Sequence, residues 1–427
     1  MRKTVLAFLL MVAVSLGVQA NAQQAAVSPA QSLFDQATFY LGFYYSGPGK
    51  IANYRELRKQ YQAKLDAACA GDTKCPYSKA LTVINEIIAS LNDPYVRFIG
   101  VDEANRLPEG QGPLTPRIGV ITRASANGLV VSRVYEGEPA QAAGVQRGDV
   151  IQTVNGQPAS LERLVAAELE AKAIQLGVSR RGTSQVVNVT AKTSEEGQKP
   201  LEVSGTPQGV MVIHIHDHYW VGEVARRVHQ LVRKANNGNL KGIVLDLRDS
   251  DWGLESETIF IARAFTDQIG LQYKNRFQGG QRSFSMQGNQ IVGQQGNVRF
   301  PVGQFEGSYQ NWRGPVSVVV NRYTTHNNEM LAYLLQRAKR AQVVGEATAG
   351  QLGVSGGLPS LDVSIGDTEM IAPDLYLNLS QDRILHTDGT PWPMQVTPDV
   401  NVPEDLTGLA NGTDAALARA IELLGVR

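Results

Sequence analysis

Two threonines and a histidine stand together in the segment NRYTTHNNEMLAYLLQRAKRAQVVGEATAGQ, residues 321–351. A hydroxyl beside an imidazole is the material of nucleophilic catalysis, because a neutral ring can take the hydroxyl proton. His326 opens a helical pattern, where the positive end of the helix dipole favours the neutral ring. Thr325 or Thr324 with His326 is therefore one candidate pair, although neighbours at a tight turn usually point apart. Gln351 follows in a glycine-rich loop, 25 residues after His326. An amide cannot accept a proton, so Gln351 cannot act as a base.

Three further groups could do chemistry. In HIHDHYW the alternation puts His214, His216 and His218 on one face of a strand, a spacing that could hold zinc, copper or nickel. The alternative is a partly exposed strand end with polar residues toward solvent. The acid pairs Asp249/Asp251 and Glu255/Glu257 are expected to cap and charge the following helix start, not to form a glycosidase-type pair. Cys69 and Cys75 bracket the turn-like AGDTK and fit a local disulfide in an oxidising compartment.

The elements that must position these groups are legible. NYRELRKQYQAKLDAA and SKALTVINEIIASL carry apolar residues at three- and four-residue spacing, so the region after Ser32 reads as helical, with Pro94 stopping the second helix. LPEGQGPLTP reads as a linker. Short β-prone runs then follow from about residue 117 to 195, with one helix expected in LERLVAAELEAKAI. From Val210 onward, apolar strands such as GVMVIHIHD, GIVLDLR and VSVVVN alternate with amphipathic helices, including one over Asn328–Arg340. That pattern predicts an α/β layer structure with buried strands. FQGGQRSFSMQGNQIVGQQGNV is expected to be an irregular insertion or hairpin.

Lysine plus arginine and aspartate plus glutamate both number 40 in 427 residues, so no global field favours nucleic acid. Arg2 and Lys3, the apolar run Val5–Val18 and Ala20-Asn21-Ala22 predict a secretory signal peptide over residues 1–22. No later apolar run reaches spanning length. The expectation is an exported protein, periplasmic or extracellular, with no integral membrane segment after signal removal.

GEPAQAAGVQRGDVIQTVNG closely resembles the core of a PDZ domain, with Gly144 and Gly148 turning the chain and Asn155-Gly156 as a hairpin turn. Such domains capture extended peptides by strand addition, with backbone amides gripping a terminal carboxylate. The corresponding loop is Arg117, Ile118, Gly119 and Val120, where Arg117 replaces a more usual glycine.

SLNDPYVRF, this core, KGIVLDLR, VVVNRYTTHNNEMLAYLL, VVGEATAG and VTPDV follow one another as in the carboxy-terminal processing (tail-specific) peptidases, which the chain resembles over nearly its whole length after residue 22. The resemblance implies an α/β core related to the crotonase-like fold (residues 196–402), an N-terminal linker and helical region (23–112), an inserted β-rich PDZ domain (113–195) and a C-terminal helix (403–427). It also implies a serine nucleophile three residues before Glu329, a lysine base in the glycine loop, an accessory glutamine and a double-glycine oxyanion motif. Those positions hold His326, Gln351, Ser355 and Trp252-Gly253. A second branch, resembling tricorn protease, uses Ser-His-Glu; its histidine position holds Pro94-Tyr95, and TPWPMQ contains no acid where its glutamate belongs.

The expectation is a non-catalytic relative that binds polypeptide ends or an active peptidase partner through its PDZ domain, with no cofactor. The alternatives are an endopeptidase rearranged around Thr325 and His326, and a metal-binding protein using His214, His216 and His218.

Overall fold

The computed structural model describes residues 27–100, 116–193, 200–216, 222–250, 253–275, 281–355 and 375–426. The expected signal segment, His218 and Trp252 lie outside the described residues.

The N-terminal region is a three-helix unit: Pro29–Tyr44, Tyr54–Ala68 and Tyr77–Leu91. Ser28 caps the first by accepting from Gln31 N, and Asn53 caps the second through Arg55 N and Glu56 N. Their inward faces form one core, including Leu33, Phe34, Leu41, Leu57, Ile84 and Ile87. The third helix stops at Asn92, which adopts a left-handed backbone (φ 48°), two residues before the proline. Cys69 and Cys75 form a disulfide with Cα atoms 5.4 Å apart, closing the loop between the second and third helices.

A separate antiparallel sheet runs in the order Val120–Ser125, Gly128–Val134, Val150–Val154, Ala173–Arg180, Thr183–Thr190, with Gln157–Pro158 paired to Val150–Val154. Asn155 and Gly156 both take positive φ, 52° and 76°, as a tight hairpin turn requires. The helix expected over residues 161–174 spans only Leu161–Leu169. Ala171 turns left-handed (φ 51°), and from Ala173 the chain alternates, burying Ile174, Leu176 and Val178 as strand residues.

The α/β core is a six-stranded sheet ordered Val400–Asn401, Gln342–Gly345, Val316–Val320, Gly242–Asp246, Val210–Ile215, Leu201–Gly205. The first five are parallel, and the last pairs antiparallel at the edge. Alternation along a strand sends side chains to both faces. Ile243 and Leu245 join the core under the helices Glu223–Asn237, Glu255–Ala262 and His326–Arg337, while Val244 packs with Ala420 and Leu424 on the other face. That double burial explains the continuous apolar runs. The C-terminal stretch, expected as one helix, holds two: Leu406–Ala410 and Ala415–Leu423.

Of the two expectations for the glutamine-rich stretch, the hairpin holds and the irregular insertion does not, over its described residues. Gln281–Gln287, Gln290–Gln295 and Val298–Gln304 form an antiparallel meander within a second six-stranded sheet. Their turns use Gly288 and Gly296 at φ 59° and 57°.

Arginines dock the PDZ-like sheet onto the core. Arg123 pairs with Asp249 and lies 3.8 Å from the Tyr323 ring centroid. Arg147 Nη1 donates to Asp414 Oδ2 at 2.8 Å, and Arg248 Nη1 and Nη2 donate to the same carboxylate at 3.0 and 2.9 Å. Gly148 (φ 89°) sits so close to the Leu409 carbonyl that a Cβ there would stand 2.5 Å from its oxygen.

Candidate active site

Three segments converge at the end of the strand Val316–Val320. The turn Asn321–Thr325 leads into the helix His326–Arg337, and Thr324 anchors it: its hydroxyl donates to Leu247 O (2.8 Å) and accepts from Asn321 N (3.0 Å). Thr325 N donates to Ser250 O, and the Thr325 hydroxyl lies 3.5 Å from that same carbonyl. His326 then takes φ 48°, a left-handed backbone that costs a non-glycine residue about 1–2 kcal/mol.

Glu329 holds this geometry. It is fully buried, and its Oε2 accepts from both His326 N (3.0 Å) and Gln351 N (2.9 Å). Its Oε1 accepts from Gly350 N (3.0 Å) and the Thr348 hydroxyl. One carboxylate therefore ties the turn to the glycine loop and brings positions 326 and 351 together. Burial lifts the Glu329 pKa to about 7, against the lowering effect of these donors.

The third segment is Asn92–Val96. Asp93 Oδ1 accepts from Tyr95 N (3.1 Å), while its Oδ2 accepts from the Ser380 hydroxyl (2.8 Å). The resulting turn presents Tyr95, 2% exposed, edge-on to the His326 ring at 4.7 Å. Pro94 lies against Gly350, where a Cβ would meet Pro94 Cγ at 3.2 Å. Burial first, and Arg97 second, depress the His326 pKa to about 3. The imidazole is thus neutral at ordinary pH and a very weak base for a Thr325 hydroxyl.

The neighbouring positions are spoken for. Asn327 Nδ2 donates to the Gly253 carbonyl. Ser355 is in the short strand Val354–Ser355, paired opposite Asp382. Met394 and Val396 run beside the glycine loop, accepting from Leu352 N and Thr348 N through their carbonyls.

On the histidine strand, His214 stays partly exposed, as expected of a polar strand end, while the buried His216 faces the docked sheet. His214 Nδ1 lies 3.2 Å from Asp246 Oδ2, and His216 Nδ1 lies 2.6 Å from Arg133 Nη1. His216 Nε2 is 3.5 Å from Glu202 Oε2. Burial, above all, lowers the His216 pKa. Among the described residues no cluster of three or more His, Cys, Asp or Glu residues is arranged to hold a metal ion.

Glu255 and Glu257 lie in the first turn of the helix Glu255–Ala262, as expected, but Glu257 caps a different helix. Its Oε1 accepts from Ala225 N (2.6 Å) and its Oε2 from Gly222 N, at the start of Glu223–Asn237. Glu255 is instead pushed up to about 7 by burial, eased by the Tyr273 hydroxyl and Arg282. Asp249 (φ 56°) is engaged by Arg123 and by Asn321 Nδ2 (2.9 Å).

In the PDZ-like loop, Arg117 N and O pair with Lys192. Ile118 N donates to Glu168 Oε1 at 2.9 Å, so this amide already serves a carboxylate of the same chain. Gly119 has φ 82° and sits against Glu138, where a Cβ would stand 2.2 Å from Glu138 Cβ. Val120 opens the edge strand. Glu168 escaped the sequence reading, although its spacing from Leu164 places it on the buried side of its helix.

The strand-turn-helix and glycine loop on a parallel sheet, with a PDZ-like sheet docked beside them, match the layout that the sequence resemblance implies. Profile comparison gives the same answer: Peptidase family S41 matches residues 209–402 and the PDZ domain matches residues 106–179. Residues 209–402 are thus a peptidase S41 region and residues 106–179 a PDZ domain. It is 28% identical over 287 residues to Carboxyl-terminal-processing peptidase 2, chloroplastic, of Arabidopsis thaliana, covering 63% of this chain and 52% of that protein. It is 26% identical over 283 residues to the Carboxyl-terminal-processing protease of Synechocystis, covering 63% and 61%. The match thus spans between half and two thirds of these relatives. A solved Bacteroides fragilis structure assigned to S41 superposes with a TM-score of 0.56 at 16% identity, covering 92% of this chain and 96% of that one, a likeness of fold. No helix among the described residues is long and apolar enough to cross a membrane.

Proposed function

We propose that this chain is a non-catalytic S41 member that holds extended polypeptide, a client segment or a peptidase partner, through its PDZ domain. One observation carries the reading. Glu329 brings positions 326 and 351 onto a single carboxylate oxygen, yet those positions carry an imidazole packed under Tyr95 and an amide. A hydroxyl nucleophile needs a neighbouring base, and neither group supplies one: the imidazole has a pKa of about 3, and the amide takes no proton. The PDZ edge strand Val120–Ser125 pairs on one side only among the described residues, which supports binding by strand addition. The expected leader over residues 1–22 and the Cys69–Cys75 disulfide support an exported protein.

The test is to incubate the purified chain with a labelled unfolded polypeptide, following anisotropy for binding and mass spectrometry for cleavage. The reading requires saturable binding with the polypeptide intact. No binding at any concentration reached would remove the capture half; new fragments would remove the non-catalytic half.

A further inference from the structure

The loop that would grip a peptide's terminal carboxylate already holds one. Glu168, on the helix Leu161–Leu169, is 4% exposed and aims its carboxylate at the loop. Ile118 N donates to its Oε1 at 2.9 Å, while Arg117 Nη1 lies 3.8 Å from its Oε2. The loop carbonyls are held inside the domain: Ile118 O accepts from Ala140 N at 2.8 Å, and Gly119 O from Tyr135 N at 3.0 Å. Arg117 N is also in use, paired with Lys192 O at 3.0 Å. The arginine in place of the usual glycine thus has a physical reason, since it sets a guanidinium beside a buried anion.

We propose that Glu168 is an internal stand-in for a peptide's terminal carboxylate, so that the groove beside Val120–Ser125 takes polypeptide that continues past the loop or ends in a neutral group. A free α-carboxylate entering here meets a like charge and finds the Ile118 amide engaged. An internal segment needs neither and can pair along the edge strand through its backbone alone. Burial raises the Glu168 pKa, opposed by the Ile118 amide and Arg117, as expected for a carboxyl enclosed by the domain. The inference rests on the PDZ domain being the polypeptide-binding element and names the kind of segment it accepts.

The experiment uses the full chain and one short apolar-ended peptide, made as the free acid and as the carboxamide, with binding read by fluorescence anisotropy. Wild type is expected to bind the carboxamide at least as tightly as the free acid. Glu168→Ala vacates the loop and should tighten the free acid by roughly 10- to 100-fold relative to wild type, the range for a hydrogen bond to a charged group. Glu168→Gln keeps an acceptor on Ile118 without the charge and should fall between the two. Circular dichroism and the exchange protection of the Ile174–Val178 amides confirm that each variant is folded.

Tenfold preference of wild type for the free acid overturns the inference, as does failure of a folded Glu168→Ala to take the free acid. If Glu168→Ala binds the acid but wild type binds neither peptide, the stand-in role survives. The polypeptide-capture reading for the native chain then fails, so the two outcomes separate.

Discussion

Glu329→Ala puts the largest load on the geometry described above. The substitution removes the acceptor from three backbone amides, His326, Gly350 and Gln351, and from the Thr348 hydroxyl. A buried donor left unpaired costs about 1–3 kcal/mol. The hydroxyl also accepts from Val396 N and can rotate, and water can enter the vacated volume, so the sum is not reached. A local loss of about 3–5 kcal/mol is expected. Glu329→Gln separates shape from charge. The folded carboxyl keeps its proton up to about pH 7, whereas the unfolded one loses it near 4.5, so its contribution is full below 4.5 and lost as pH rises through 7. The difference amounts to roughly 3 kcal/mol. The neutral amide has no such slope, so the gap between wild type and Gln should narrow by about that amount between pH 5 and pH 8.

A chain with several separate cores does not unfold as one unit, so global melting is the wrong assay. Hydrogen exchange by mass spectrometry, corrected for intrinsic rate, reads the turn and glycine loop directly. In Glu329→Ala the peptides covering 324–330 and 345–352 should lose roughly 100-fold or more in protection at pH 5. The PDZ strands should be unchanged. Protection in both segments within about threefold of wild type refutes the tether, as does an identical wild-type-to-Gln gap at both pH values.

Other perturbations address separate links. Tyr95→Ala removes a buried ring, costing about 3–5 kcal/mol locally, and exposes the half-buried His326 further; its imidazole, silent in wild-type NMR titration down to about pH 4, should then titrate nearer 6.5. A folded His326 that takes no proton where the unfolded ring does will make this region lose stability as pH falls below 6.5, readable as faster local exchange. Gly148→Val places a side chain against Leu409 O on a left-handed backbone; a loss of about 1–3 kcal/mol and faster exchange across Leu406–Ala410 are expected.

The sequence carried the layers of the fold and the position of the turn. Apolar strands between amphipathic helices, the Asn155-Gly156 hairpin and the His326–Glu329 spacing are local patterns, and local patterns survive into the structure. Buried carboxylates with distant partners were not legible. Glu257 caps a helix that starts 34 residues earlier, and Glu168 reaches an amide 50 residues away. In both cases an acid at an inward helical position was the only local signal. The helix expected through Ile174 failed for the opposite reason: alanine-rich composition favoured helix, while the alternation of Ile174, Leu176 and Val178 decided for the sheet. The contact of Tyr95 with His326 joins segments some 230 residues apart, and no periodicity reports it.

The central claim, a nucleophile turn whose hydroxyl has no base beside it, is tested most directly by mass spectrometry of an unfolded polypeptide incubated with wild type, His326→Ala and Thr325→Ala. The account predicts intact polypeptide, and no difference among the three proteins. Cleavage by wild type that disappears in His326→Ala or Thr325→Ala would contradict it and establish a peptidase built on those residues.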